Sequence, residues 1–330
     1  MELVFLDTKT IGNIPNLNLL EKFGRVTYYE TTQPDQTLER IREADIVVSN
    51  KVMLDKAIIE QAPKLKLICI AATGTNNVDK EAAEKRGIPV MNAMDYSTQS
   101  VTQGTFAILL HLLVNVPYFD HYVKDGEYAK TDIFTHFGPG FWELAGKRFG
   151  IVGLGNIGRQ VAKIAYAFGC EVVYYSTSGQ NTQQPYLRLE LDEFLHTCDI
   201  VSIHAPLNES TANFINYDRL ARMKKSAILL NVGRGGIVNE ADLARALDEG
   251  LIAAAGIDVF TKEPILPENP LLHVKHKERL ALTPHVTWAS IEARTLLMEK
   301  VGQNIEAFLK TEISNVRATI ADEHEPLANV

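Results

Sequence analysis

The chain of 330 residues is 46% hydrophobic and 22% charged, the composition of a soluble globular protein with room for two ordinary domains and their cores. A formal net charge of −8 and a pI near 5.6, with Lys and Arg scattered along the chain, exclude the electrostatic footprint of a nucleic-acid or anionic-membrane binder and point to a small-molecule partner. Cys69, Cys170 and Cys198 lie far apart in apolar surroundings, which fits buried thiols in a reducing, cytoplasmic setting. No His or Cys pair has metal-ligand spacing, so no metal is expected.

The N-terminus carries Glu2 and Asp7 but no basic region, and reads as a first strand rather than a signal peptide. Short apolar runs at 3–6, 26–29, 46–49, 67–71 and 89–91 read as strands. Between them lie helical patterns at 37–44 and at 55–61, the latter capped by Asp55 and closed before Pro63. Such alternation implies a parallel sheet with helices on both faces over roughly the first hundred residues. After the fourth run, the polar turn Ala72-Thr-Gly-Thr-Asn-Asn-Val-Asp79 presents N–H groups that suit a carboxylate beyond the strand ends. Its alternative is an ordinary turn in which Asp79 opens the next helix.

Residues 100–116 form the longest helical pattern of this half, limited by Pro117 and too short in apolar residues for the ~20 of a bilayer span. The segment 120–146 mixes aromatic, Gly, Pro and His residues without a period; it reads as loop with short helical turns and an interface role, with Trp142 as filler.

A second alternating unit opens at Phe149. The stretch from Lys147 to Arg159 reads as strand, tight turn and helix: Gly153 for the turn, Gly155 for close approach to a pyrophosphate, Gly158 for helix packing, with Asn156 and Ile157 at the helix start. An apolar run before it and an amphipathic run after it favour dinucleotide binding over packing alone. The next strand, 171–175, ends at Ser176, where an acid about 20 residues beyond the fingerprint holds the adenosine ribose in NAD enzymes. With neither acid nor neighbouring Arg or Lys at that position, NAD(H) is the first expectation and NADP(H) stays open. Further strands at 199–204, 227–232, 254–259 and 280–282 complete a doubly wound sheet, and an amphipathic helix at 290–309 precedes a polar tail at 321–330.

Three of these strand ends carry groups suited to alcohol–ketone chemistry. Arg234, between glycines, offers a permanent planar charge to a carboxylate. Glu263 follows the next strand and His285 the last, and together they supply a proton donor and its orienting acid. Singly, each also fits a structural role. His204, at a strand end before Pro206, is a rival acid/base, although the adenine half of a cofactor suits it better.

The segments Gly150 to Arg159, Asn231 to Glu240, Ala255 to Phe260 with Glu263-Pro264, and Thr283-Pro-His285 together resemble the D-isomer-specific 2-hydroxyacid dehydrogenases over nearly the whole chain. The resemblance implies that Arg234 binds the substrate carboxylate, that Glu263 supports His285, and that His285 is the general acid/base. It implies backbone contacts to the carboxylate from Thr73, Gly74 and Thr75. Trp288, three residues after His285, suits either the pocket for the substrate side chain or the core. To the cofactor it assigns Gly153, Gly155, Asn156, Ile157, Gly158, Ser176, His204, Ala205, Pro206, Thr211, Asn231, Val232, Gly233 and Asp258.

The implied fold is α/β: two doubly wound parallel-sheet domains, with a Rossmann-type NAD(P)-binding domain (101–286) inserted into a flavodoxin-like substrate domain (1–100 and 287–330), in a homodimer. The chain looks most like the hydroxypyruvate reductase, glycerate dehydrogenase and glyoxylate reductase branch, reducing a small 2-keto acid to the D-2-hydroxy acid. A different class, the nicotinamide-sensing scaffold of the C-terminal binding protein corepressors, resembles the same family; the lack of partner-binding extensions favours the enzyme.

Overall fold

The computed structural model describes residues 1–323, and its chain divides into two compact units, Met1–Ser97 with the segment from Ala289 onward, and Thr98–Trp288. In the first unit β1 (Glu2–Phe5), β2 (Arg25–Tyr28), β3 (Ile46–Ser49), β4 (Leu67–Ile70) and β5 (Val90–Asn92) form a parallel sheet of order β2-β1-β3-β4-β5. This is the flavodoxin-like order. Every residue of β3 and β4 is buried, so these strands read as unbroken apolar runs, as strands covered on both faces must.

The helices α1 (Pro34–Ile41), α2 (Lys56–Glu60) and α3 (Lys80–Lys85) cross between strands. The first begins earlier than 37 because Pro34 sits in its first turn, where a missing N–H costs nothing. Asp55 and Asp79 cap α2 and α3, accepting from Ile58 N and Ala82 N, each at 2.9 Å. The C-terminal helix (Ile291–Glu323) is tied to this unit: Arg294 Nη1 donates to Ile11 O at 2.7 Å and Asn304 Nδ2 to Asn92 O at 2.9 Å. It runs past 309 because neither Gly nor Pro follows Gly302 before Glu323. The tail expected at 321–330 falls outside the described residues from 324 onward.

The second unit holds β6 (Arg148–Val152), β7 (Glu171–Tyr175), β8 (Leu187–Arg188), β9 (Ile200–Ile203), β10 (Ile228–Asn231), β11 (Ala254–Ile257) and β12 (Leu280–Leu282), all parallel, in the order β12-β11-β10-β9-β6-β7-β8. The sequence reverses direction between β6 and β9, which makes the carboxyl ends of those strands the crevice of a Rossmann sheet. Successive residues feed opposite cores: Leu229 joins Val152, Val201 and Leu243 on one face, while Ile228 and Leu230 join Ile151, Ile200 and Leu109 on the other.

Before this sheet, α4 (Thr98–Val114) ends sooner than 116. Asn115 takes a left-handed conformation (φ 52°), and Pro117 then lies in the first turn of a further helix, α5 (Val116–Lys124), instead of simply closing the first. Part of the segment expected as loop is therefore helical. Beyond it, Tyr122 stacks on His136 with ring centroids 3.8 Å apart, and Tyr118 Oη lies 2.9 Å from His136 Nε2. Phe134 and Phe137 stay 90% and 80% exposed. Among the described residues no single helix is long and apolar enough to cross a membrane. Cys69, Cys170 and Cys198 are free and buried, and burial pushes the Cys69 and Cys198 thiols up to about 12.

Candidate active site

The glycine turn is built by close approach. Gly153 has φ 89°, and a Cβ there would lie 2.7 Å from Ala205 N, at the end of β9. A Cβ at Gly158 would meet Gly153 O at 2.3 Å, whereas one at Gly155 would meet nothing within 4 Å. Gly153 and Gly158 are thus required by packing, and Gly155 opens the face at the start of α6 (Asn156–Ala167), where helix N–H groups favour an anion. Arg159 arches back over this turn, with Nη1 donating to Leu154 O at 3.2 Å and a second hydrogen bond to Asn156 Oδ1.

Two buried polar atoms beside this turn have no partner among the described residues: Ser176 Oγ, on a residue 5% exposed at the end of β7, and His204 Nδ1, at the end of β9. The other nitrogen of His204 lies 2.9 Å from Ser202 Oγ. Burial pushes the imidazole down to about 3, so it stays neutral, and it has a serine rather than a carboxylate beside it. It lacks what an acid/base needs. Orphaned buried polar atoms on both sides of a glycine turn are the mark of a ligand-completed surface. Ser176, His204 and the α6 N-terminus therefore fit an adenosine diphosphate portion of a dinucleotide. The loop after Ser176 bears no acid, and Arg188 Nη1 donates to Gly179 O there at 3.2 Å.

Asn231, Thr211 and Asp258, expected at the cofactor, have their polar atoms turned into the loops themselves. Asn231 closes the Arg234 turn, with Oδ1 accepting from Gly233 N at 3.2 Å and Nδ2 donating to Arg234 O at 3.0 Å. Thr211 Oγ1 donates to Pro206 O at 2.6 Å and accepts from Asn208 N at 2.8 Å. Val232 is buried, while Pro206 is exposed beside that brace. The carboxylate of Asp258, 0% exposed, accepts at Oδ1 from Thr283 Oγ1 (2.6 Å) and Val286 N (2.9 Å), and at Oδ2 from Thr287 Oγ1 (2.6 Å) and Thr287 N (3.2 Å). A carboxylate has about four acceptor sites, and these are filled.

Those bonds hold the loop that carries His285. Its own N–H donates to Asp258 O at 2.7 Å, and its backbone is left-handed (φ 51°), a conformation that a non-glycine residue adopts only when its surroundings impose it. His285 Nδ1 lies 2.7 Å from Glu263 Oε2, and Glu263 Oε1 accepts from Phe260 N at 2.9 Å. Both oxygens of Glu263 are thereby directed, one to the chain and one to the ring. A carboxylate can only accept, so Nδ1 carries the proton in this pairing and Nε2 is the nitrogen turned from Glu263. Arg234 belongs to the same row of strand ends. A Cβ at Gly233 would lie 3.1 Å from Ala205 O, so the Arg234 turn flanks Ala205 opposite Gly153.

Trp288 packs against a core of this unit and is only partly buried. Thr73, Gly74 and Thr75 lie in the first unit. There the 50–54 loop is latched to theirs by Leu54 N to Asn77 O at 2.8 Å and Asn77 Nδ2 to Val52 O at 3.0 Å, and Asp7 receives Lys51 N at 2.6 Å. The N–H groups of Thr73, Gly74 and Thr75 have no acceptor among the described residues. Thr283 and Thr287, two positions either side of His285, were not legible as anchors, because a threonine signals nothing until its acceptor is placed beside it. No group of three or more His, Cys, Asp or Glu side chains suited to a metal occurs among the described residues.

The sequence model of the family described as D-isomer specific 2-hydroxyacid dehydrogenase, NAD binding domain, matches residues 106–287. A hydroxypyruvate reductase of Blautia hydrogenotrophica is 37% identical over 304 residues, 90% of this chain and 93% of its own length. A glycerate dehydrogenase of Methylorubrum extorquens is 35% identical over 316 residues, 96% and 98% of the two chains. Among solved structures, an NADPH-dependent glyoxylate/hydroxypyruvate reductase from Sinorhizobium meliloti, in complex with NADP and malonate, aligns with a TM-score of 0.80 at 27% identity over 94% of each chain.

Proposed function

Because the chain belongs to the D-isomer-specific 2-hydroxyacid dehydrogenases, NAD(P)-dependent enzymes of the CH–OH group, we propose that it reduces a small 2-keto acid, hydroxypyruvate or glyoxylate first, to the D-2-hydroxy acid. The observation that carries this reading is the 2.7 Å pair between His285 Nδ1 and Glu263 Oε2. The nicotinamide, when bound, supplies a hydride to the carbonyl carbon. Nε2 of His285 gives the carbonyl oxygen its proton, and takes it back in the oxidative direction. Glu263 keeps the ring in one orientation through that bond. Arg234 holds the substrate carboxylate through two parallel N–H bonds, which orients the carbonyl. In the first unit the N–H groups of Thr73, Gly74 and Thr75 offer donors to a carboxylate, and Trp288 shapes preference among substrate side chains.

On the cofactor side, Gly155, Asn156 and Ile157 take the pyrophosphate, while Ser176 and His204 supply contacts to the adenosine half. NAD(H) is the first choice. The missing acid at Ser176 leaves NADP(H) acceptable, which the NADP-bound relative supports. Asn231, Thr211 and Asp258 shape these loops rather than touch the ligand. The exposed Phe134 and Phe137, on a segment held together by its own aromatic stack, support a homodimer joined through this arm. Three buried free thiols support a cytoplasmic setting.

Steady-state oxidation of NADH and of NADPH against hydroxypyruvate, glyoxylate, pyruvate and longer 2-keto acids tests the reading. The highest kcat/KM is expected with one of the first two. Tight cofactor binding with no turnover on any keto acid would reject it in favour of a nicotinamide-binding scaffold.

A further inference from the structure

We propose that Glu240 is a positioning residue for proton transfer: its carboxylate fixes the segment that carries Glu263 and sets that segment against the Arg234 turn. The inference rests on the reading of Glu263 and His285 as the orienting acid and the proton donor.

Glu240 is the first residue of the helix Glu240–Glu249, whose N-cap Asn239 accepts from Asp242 N at 3.0 Å. A carboxylate in that first turn is stabilised by the helix dipole. Its oxygens reach away from the helix to a different part of the chain. Oε1 accepts from Thr261 N at 2.6 Å, and Oε2 accepts from Asn269 Nδ2 at 2.6 Å. Thr261 opens the loop after β11 and Asn269 closes it, so one side chain holds both ends. Asn269 is itself anchored, since its Oδ1 accepts from Leu271 N at 3.0 Å.

The loop also bonds through Asn269 N to Leu266 O at 3.0 Å, and His273 Nε2 lies 2.9 Å from Pro267 O, but neither bond reaches the 261–263 end. Thr261, Lys262, Pro264, Pro267 and Glu268 are exposed, and Ile265 alone of its apolar side chains packs on the neighbouring core. Within it, consecutive N–H groups go to two different carboxylates: Phe260 N to Glu263 Oε1 at 2.9 Å, and Thr261 N to Glu240 Oε1 at 2.6 Å. The carbonyl of the same Phe260 is covered by the Arg234 turn, because a Cβ at Gly235 would lie 1.8 Å from Phe260 O. Phe260 and Thr261 are therefore where the Arg234 turn, the Glu240 carboxylate and Glu263 converge. Removing Glu240 releases Thr261 N and Asn269 together and lets Glu263 drift from His285 Nδ1.

The test uses the full-length protein with Glu240→Ala, Glu240→Gln and Asn269→Ala. Turnover, its pH profile and the NADH dissociation constant are measured, together with the downfield imidazole N–H resonance of His285 in histidine-labelled protein, identified by its loss in His285→Ala. In Glu240→Ala, kcat is expected to fall about ten- to a hundred-fold, the scale of a small misplacement of a reacting group. Cofactor affinity stays unchanged, the pH profile departs from that of the wild type, and the resonance weakens through exchange with water. Glu240→Gln, which keeps one acceptor, lies between. A folded Glu240→Ala with wild-type kcat, pH profile and resonance overturns the proposal; should that variant not fold, the same comparison in Glu240→Gln and Asn269→Ala decides. If the wild type reduces no 2-keto acid, the proposed activity fails by itself, and the resonance still judges Glu240: weakened in the variants it supports the positioning role, unchanged it refutes it.

Discussion

The carboxyl ends of β10, β11 and β12 and those of β7 and β9 belong to one sheet yet are finished differently. At the first three, the polar groups of Asn231, Asp258 and Glu263 are bonded within the chain. At the other two, Ser176 Oγ and His204 Nδ1 are buried without a partner among the described residues. The end that carries Glu263 and His285 is thus bonded within the chain, the arrangement that electrostatic preorganisation would require of the proposed acid/base pair. At the end proposed for the cofactor, a ligand that bonds these two atoms would add stability by mass action and remove the desolvation penalty of orphaned groups.

The sharpest way to break this contrast is to remove the proton donor. His285→Ala is expected to lower kcat by about a hundred- to ten-thousand-fold, the usual range for a general acid, while NADH fluorescence titration gives an unaltered dissociation constant. Arg234→Ala, by comparison, should act chiefly on KM for the keto acid. Wild-type turnover in His285→Ala would end the mechanism. Next in size, Asp258→Asn places an amide among donors that all point at a carboxylate. Chemical denaturation should show a loss of roughly 3 kcal/mol, as for a buried charged group whose partners are left unmatched, and a variant as stable as wild type would mean that the His285 loop is held by something else.

At the cofactor end, Ser176→Asp supplies the absent acid. The ratio of kcat/KM for NADPH to that for NADH should drop about tenfold or more, and a ratio left where it was would place the 2′ position away from Ser176. The smallest effect concerns His204. Its proton affinity in the folded protein, pushed down to about 3 from 6.5, means that between these values the unfolded chain binds more protons, so stability falls as pH drops through 6.5 toward 3. The slope contributed is at most ~1.4 kcal/mol per pH unit. His204→Gln should flatten denaturation midpoints measured between pH 7 and pH 5; equal slopes in the two proteins would show that the ring protonates freely.

Much of this site was readable because it follows from near neighbours. Gly153 and Gly158 announce a turn that only glycine tolerates, and Arg234 and His285 stand out by their places after apolar runs. The edge strand β8 was not readable, since Leu187–Arg188 is too short to show a period. Nor was the break at Asn115, where Pro117 marks a helix end and a helix start equally well. The partners of Asp258 were not readable for a different reason. An acid at the end of a strand looks the same in sequence whether its lone pairs face a ligand or three residues of the next loop.

The amino-acid sequence alone determined two alternating α/β units and the glycine turn, because local sterics and hydrophobic periodicity act within a few residues. Only the tertiary structure decided which atoms are bonded. Glu263 reaches His285 across 22 residues, Glu240 reaches Asn269 across 29, and Asp258 receives Thr287 across 29. A hydrogen bond depends on distance and direction in space, and those are set by how strands are ordered in the sheet rather than by the order of residues in the chain.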